Sequence, residues 1–118
     1  APLHLVPSGL LVLAHMKSDD LDAYLDQSLE IATPRSEVDP TRIRQRLGEV
    51  RRVGYCWVYQ EFADGLNSVA APVFGASGEV IAALHVHGPA YRFPDPERTH
   101  DLGIQLAAAC DRMSRQLN

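Results

Sequence analysis

Two histidines, His85 and His87, stand two residues apart in the apolar segment VIAALHVHGP, and we refer to them as the histidine pair. In a β-strand, residues two apart project from the same face, so both imidazole rings would meet the same ligand. Each ring can donate a hydrogen bond to a carboxylate or carbonyl oxygen, and a bound anion would raise its pKa. The pair could instead ligate a metal ion, given a third ligand such as Cys56 or His4. The simplest interpretation is a partly exposed strand end.

The apolar periodicity and the turn residues predict which elements carry these side chains. We expect helices at 8–16, 18–29 and 40–53, then strands at 55–62, 67–74 and 79–87, then a last helix at 96–117. Ser8 could cap the first helix, and Asp95 with Pro96 could open the last one, along a seam that includes Met113 and Leu117. Short links between consecutive strands imply an antiparallel meander with helices packed against it, which is the α+β class.

Composition limits the classes of function. The 118 residues fit one domain, 46% of them are hydrophobic, and the formal net charge is −4. The acidic balance argues against direct DNA binding, which needs a dense basic patch. Five arginines between residues 42 and 52 are better explained as a solvated helix face. The two cysteines, Cys56 and Cys110, show no metal-binding spacing and suit core positions in a reduced cytoplasmic setting.

Catalytic and membrane signatures are missing from the sequence. It contains no Gly-x-Ser-x-Gly, no phosphate-binding loop and no paired carboxylates with a helical histidine, so we expect neither an enzyme nor a cofactor. No apolar run approaches the roughly 18 residues that span a membrane. The chain starts at Ala1 without an initiator methionine, so we expect it to be part of a longer protein.

Four segments resemble one family of bacterial regulators, the IclR type. Residues 2–14 (PLHLVPSGLLVLA) are similar to its motif PLHATALGKALLA, and residues 47–55 (LGEVRRVGY) to L..IR..GYA. Residues 61–74 (EFADGLNSVAAPVF) are similar to E...GV.SIAAPVFD, and residues 80–89 to VVAALSVSGP. The order and spacing of the four agree over almost the whole chain, which makes the resemblance specific.

The resemblance implies a C-terminal effector-binding domain, residues 1–118, with a GAF-like or profilin-like sheet. In the family a winged helix-turn-helix, a linker helix and the first strands of the sheet precede it, and none of them is in this chain. We therefore expect another strand or a partner chain to extend the narrow sheet. Family members are dimers or tetramers that bind small organic acids or aromatic metabolites, so DNA would be reached only through a domain outside this chain.

The resemblance also implies an effector site. Pro7, Ser8 and Gly9 match the helix start that surrounds a ligand carboxylate, where free N–H groups and the helix dipole favour an anion. Proline has no N–H, so the donors would be Ser8 and Gly9. Leu66 and Ser68 match pocket positions on the middle strand, as an apolar wall and a hydroxyl. Each of these residues could instead have a purely structural role.

The candidate site departs from the family pattern at two places. His85 and His87 replace two pocket serines, and imidazole is larger and more basic than a hydroxyl. Val58 stands where members that bind small keto acids often place an aspartate. A further alternative is a module that only oligomerises and has lost its ligand.

Overall fold

The computed structural model describes residues 2–118 and contains four α-helices and three β-strands. After a single 3-10 turn at Leu3–Leu5, the elements follow in the order α1 Pro7–Ala14, α2 Ser18–Leu25, α3 Pro40–Val53, β1 Cys56–Tyr59, β2 Leu66–Phe74, β3 Val80–Pro89 and α4 Thr99–Leu117. The α+β class and the order of the elements are as the periodicity predicts.

The sheet is an antiparallel meander with β2 in the centre, in the order β1-β2-β3. Its register places Ser68 of β2 between Val58 of β1 and His87 of β3. One row further along, Ala70 lies opposite both Cys56 and His85. Because alternate residues of a strand share a face, these two rows are neighbours on the same side of the sheet.

Helices cover both faces of the sheet. On the first face α1 and α3 form a core with Cys56, Val58 and Ala70. On the second face α4 packs on Ala71 and Val73 through Cys110, so the two cysteines lie on opposite sides of the sheet. Helix α1 is apolar on most sides because it packs between the sheet and α3, with its three leucines fully buried and Val12 exposed.

The termini of α3 have the residues that their geometry requires. The Asp39 carboxylate accepts a hydrogen bond from the Thr41 N–H at 3.3 Å, and Pro40 is the first helical residue. Gly54 ends the helix with a φ of 83°, in the left-handed region where a side chain would be strained. These boundaries confirm the sequence prediction for this helix.

Other predicted boundaries were wrong. Helix α1 begins at Pro7, so Val6 rather than Ser8 is its N-cap. A proline suits this first position because the N–H that it lacks would have no partner within the helix. The second helix ends at Leu25, four residues before the predicted end.

The last helix begins at Thr99 instead of Pro96. Asp95 holds a separate turn ahead of it, accepting from the Glu97 N–H at 3.1 Å and, through its carbonyl, from the Arg98 N–H at 2.9 Å. The predicted apolar seam is also shorter than expected, because Met113 and Leu117 are exposed.

Candidate functional site

A cavity of about 270 Å³ lies between the first turn of α1 and the α1-side face of the sheet. Its wall combines a loop, a helix start and all three strands, and most of its residues are apolar. The lining residues are Leu5, Val6, Pro7, Ser8, Val58, Phe62, Ala63, Leu66, Ser68, His85 and His87. The volume is just below the range of about 300–1,000 Å³ for pockets that take drug-sized ligands, so it suits a small metabolite.

The structure brings together the predicted site residues with one exception. Pro7, Ser8, Val58, Leu66, Ser68 and the histidine pair all line the cavity, whereas Gly9 does not. A Cβ on Gly9 would overlap the backbone of Leu3, so this glycine allows the turn before α1 to pack closely on the helix.

Hydrogen bonding organises the polar end of the cavity. The Ser68 Oγ lies 2.6 Å from His87 Nδ1, and the serine is only 4% exposed. The rings of His85 and His87 are 5.3 Å apart between centroids and are inclined by 40°. Burial, followed by the neighbouring His87 ring, lowers the pKa of His85, so this ring is neutral near pH 7.

The cavity lining contains no lysine, arginine, aspartate or glutamate among residues 2–118. The nearest buried charge lies behind the wall, where Arg46 binds both Glu61 carboxylate oxygens at 2.7 Å. Glu61 is 4% exposed. Arg46 is thus an exception to the predicted solvated face of arginines, because it neutralises a buried acid.

Residues 60–63 form a part of the cavity wall that the sequence patterns did not predict. Gln60 follows β1 with a φ of 56°, and the chain then passes through Glu61 to the lining residues Phe62 and Ala63. The Thr33 hydroxyl donates to the Gln60 carbonyl at 2.6 Å, and the Ser36 hydroxyl donates to the Glu61 carbonyl at 2.6 Å. Contacts from a distant loop hold this wall together with a local hydrogen bond, which the Gln60 N–H donates to the Leu66 carbonyl at 3.0 Å.

The metal hypothesis for the histidine pair needs a third ligand. Among residues 2–118 the structure gathers no group of three or more His, Cys, Asp or Glu that could hold an ion. His4 is 1% exposed and both its ring nitrogens are occupied, by the Tyr24 hydroxyl and the Glu30 carbonyl, each at 2.8 Å. Cys56 is buried, and burial raises its pKa to about 12, which disfavours the thiolate that a metal requires.

The described residues also bear on membrane association. Within residues 2–118, no helix combines the length and the apolar character needed to cross a bilayer.

Comparison with known proteins identifies relatives over almost the whole chain. The sequence model of the family described as "Bacterial transcriptional regulator IclR C-terminal" matches residues 1–115. The Pca regulon regulatory protein of Pseudomonas putida is 37% identical over 112 residues, which cover 93% of this chain and 38% of that protein. The Escherichia coli transcriptional repressor IclR is 27% identical over 96% of this chain and 41% of its own length. The chain therefore spans well under half the length of these relatives.

Solved structures similar to this chain belong to the same kind of regulator as the sequence relatives. The C-terminal domain of the E. coli transcriptional regulator KdgR has a TM-score of 0.84 and 30% identity, covering 98% of this chain and 71% of that one. An IclR homologue from Microbacterium hydrocarbonoxydans, complexed with 4-hydroxybenzoate, has a TM-score of 0.81 and 27% identity, covering 98% and 47%. The curated relatives are named as transcriptional regulators or repressors, which confirms the prediction of a regulatory domain rather than an enzyme. The chain belongs to the IclR family of bacterial transcriptional regulators, whose C-terminal domain it matches.

Proposed function

We propose that residues 1–118 form one ligand-sensing domain that binds a small organic acid or aromatic metabolite in the cavity between α1 and the sheet. The observation that carries the proposal is the convergence of seven of the eight predicted site residues on this one cavity, with only Gly9 outside it. Apolar walls with a few polar groups at one end are typical of sites that take small, amphipathic ligands. The 4-hydroxybenzoate bound by the M. hydrocarbonoxydans homologue belongs to this chemical class.

Two features of the cavity favour a carboxylate. Ser8, which lines the cavity, is the second residue of α1, where backbone N–H groups have no partner within the helix and the dipole attracts negative charge. At the other side, Ser68 and the histidine pair supply side-chain donors. A ligand with a carboxylate and an apolar body would contact both these hydrogen-bond donors and the apolar lining.

The proposed mechanism is allosteric. In a homodimer or homotetramer in the cytoplasm, ligand binding favours one quaternary arrangement, and DNA-binding domains outside this chain respond. A ligand shifts such an equilibrium only by its differential affinity for the two arrangements. Val58 stands where members that bind small keto acids often place an aspartate, so we favour an aromatic acid over a small keto acid.

A thermal-shift screen of organic and aromatic acids tests the proposal. A ligand at about 100 times its Kd stabilises the native chain by about 2.7 kcal/mol, a clear rise in Tm. We expect the double variant His85→Ala/His87→Ala to lose this rise. His100→Ala, at an exposed position of α4, is the matched control and should keep it. A hit that stabilises the double variant as strongly as the parent would show that the site is elsewhere.

Two alternatives make different predictions for the same preparation. A module that only oligomerises shows a concentration-dependent mass by light scattering and no response to any acid. A metal sensor that uses the histidine pair contains stoichiometric metal by elemental analysis.

A further inference from the structure

The cavity has no permanent positive charge among its described lining residues, although the proposed ligand is an anion. Burying a carboxylate without a counter-charge is costly in an apolar environment. The helix start supplies only partial charge, which is worth about 0.3–1 kcal/mol at ordinary exposure. The only lining side chains that can become positive are His85 and His87.

The geometry of His87 suits the protonated ring. Its Nδ1 lies 2.6 Å from the Ser68 hydroxyl, which can accept a hydrogen bond from an Nδ1–H. The protonated ring would then have its Nε2–H left as a donor for the ligand. Ser68 is buried and lies directly opposite His87 in the register, so the position of the ring is fixed before any ligand arrives.

The distance between the two rings also limits the pair to one positive charge, that is, to one added proton. The two ring centroids are 5.3 Å apart, and like charges at that distance disfavour each other. His85 faces Ala70 across the strands and has no polar partner there. In the empty cavity its pKa is already lowered, first by burial and then by His87.

Within residues 2–118, no other ionisable group lines the cavity to compensate a ligand charge. From β1, Cys56 lies in the row of His85 but stays neutral because burial raises its pKa to about 12. In the loop between β1 and β2, Glu61 is paired with Arg46, and Asp64 is exposed to solvent. Helix α1 (PSGLLVLA) and the residues of β2 on this face carry no ionisable side chain, and α4 packs on the opposite face.

We infer that the cavity binds a carboxylate monoanion together with one proton, which the histidine pair takes up from solvent as the anion enters. The inference rests on the proposed function, and it adds a regulatory property: the sensor would respond to the acidity of the cytoplasm as well as to the metabolite. The ligand stays a carboxylate, and the proton resides on an imidazole nitrogen. By linkage, the affinity for the anion then falls as the pH rises above the range in which the free pair titrates.

Calorimetric titration of the 118-residue chain with 4-hydroxybenzoate and with the acids found in the screen tests the linkage. We expect Kd to rise between about pH 7 and 8 by up to about tenfold, which is the full slope for one proton. Titrations in two buffers of different ionisation enthalpy should report uptake of about one proton per ligand. His85→Gln/His87→Gln should lose both the slope and the uptake, whereas His100→Gln should keep both.

A ligand-free measurement accompanies the calorimetry. Imidazole ¹⁵N spectra followed against pH should show a higher pKa for His85 in His87→Gln than in the parent, because a neighbouring charge has been removed. Identical titration of His85 in both would overturn the inference, since the two rings would not share one charge.

The remaining outcomes separate this inference from the proposed function. Binding that is equally tight at both pH values, without proton uptake, contradicts the proton linkage and leaves the ligand site intact. If no acid binds at any pH, the proposed function fails and the linkage fails with it.

Discussion

The buried ion pair behind the cavity wall allows a sharp test of what holds the wall in place. Arg46→Met keeps an apolar stem of similar length but leaves the Glu61 carboxylate without its two hydrogen bonds of 2.7 Å. The Tyr59 N–H, at 3.2 Å, is then the carboxylate's remaining donor. Removing one partner of a buried pair costs about 3–5 kcal/mol, because the other charge stays buried. We expect about 3 kcal/mol, the lower end, since the Arg46 side chain is 29% exposed.

The matched control is Arg44→Met on the same helix. Arg44 pairs with Asp22, but the two side chains are 46% and 58% exposed, so this change should cost at most about 1 kcal/mol. Urea titrations followed by the fluorescence of Trp57, the single tryptophan, give the free energy of unfolding for each variant. In thermal scans the Arg46 variant should melt roughly 10 °C below the parent.

A double variant separates a buried charge from lost packing. Arg46→Met with Glu61→Leu removes both charges, so it should be more stable than Arg46→Met alone. Equal costs for the Arg46 and Arg44 variants would refute the reasoning, and so would a double variant that is less stable than the single one.

The remaining predictions concern stability and reactivity. Gly9→Ala should cost about 1–3 kcal/mol in urea titrations because its Cβ overlaps neighbouring backbone, whereas Gly48→Ala inside α3, whose Cβ would meet only the end of the Arg51 side chain at 3.7 Å, should be neutral or stabilising; equal effects would contradict the packing argument. Burial and a nearby arginine lower the pKa of His15 below 6.5, so the unfolded chain binds its proton first. The free energy of unfolding should thus fall from about pH 7 to 5, and His15→Gln should reduce that fall. Parallel curves of unfolding free energy against pH for the two proteins would disprove this. Burial raises the pKa of both Cys56 and Cys110, so a thiol reagent at about pH 8 should label them only after unfolding, and rapid native labelling would be inconsistent with their burial.

Local signals in the sequence determined the identity and order of the elements. The change from helical to alternating periodicity near Tyr55, and the residues Asp39, Pro40 and Gly54 around α3, reflect interactions within a few residues of each other. Boundaries that depend on longer contacts were less accurate. The last helix was expected at Pro96 because Asp95 resembles a cap, but there it closes only one separate turn.

For the site, the strand period was enough to place His85 and His87 on one face, and the family motifs indicated Pro7, Ser8, Val58, Leu66 and Ser68. The hydrogen bond between Ser68 and His87 depended on the register, which joins residues 19 apart. A one-residue slip would have turned every side chain of a strand to the other face, and only the packing of the whole sheet between α1 and α4 fixes that choice.

Periodicity and motif spacing are properties of neighbouring residues, so they were enough to predict the class of the domain and most of the residues around its cavity. Three features depend on tertiary contacts instead: the wall at residues 60–63, the structural role of Gly9, and the burial of Arg46 with Glu61. Each of these depends on a contact between segments that lie apart in the chain or pack backbone against backbone. Such contacts form only when the packing of the entire core brings the segments together, so no local pattern encodes them.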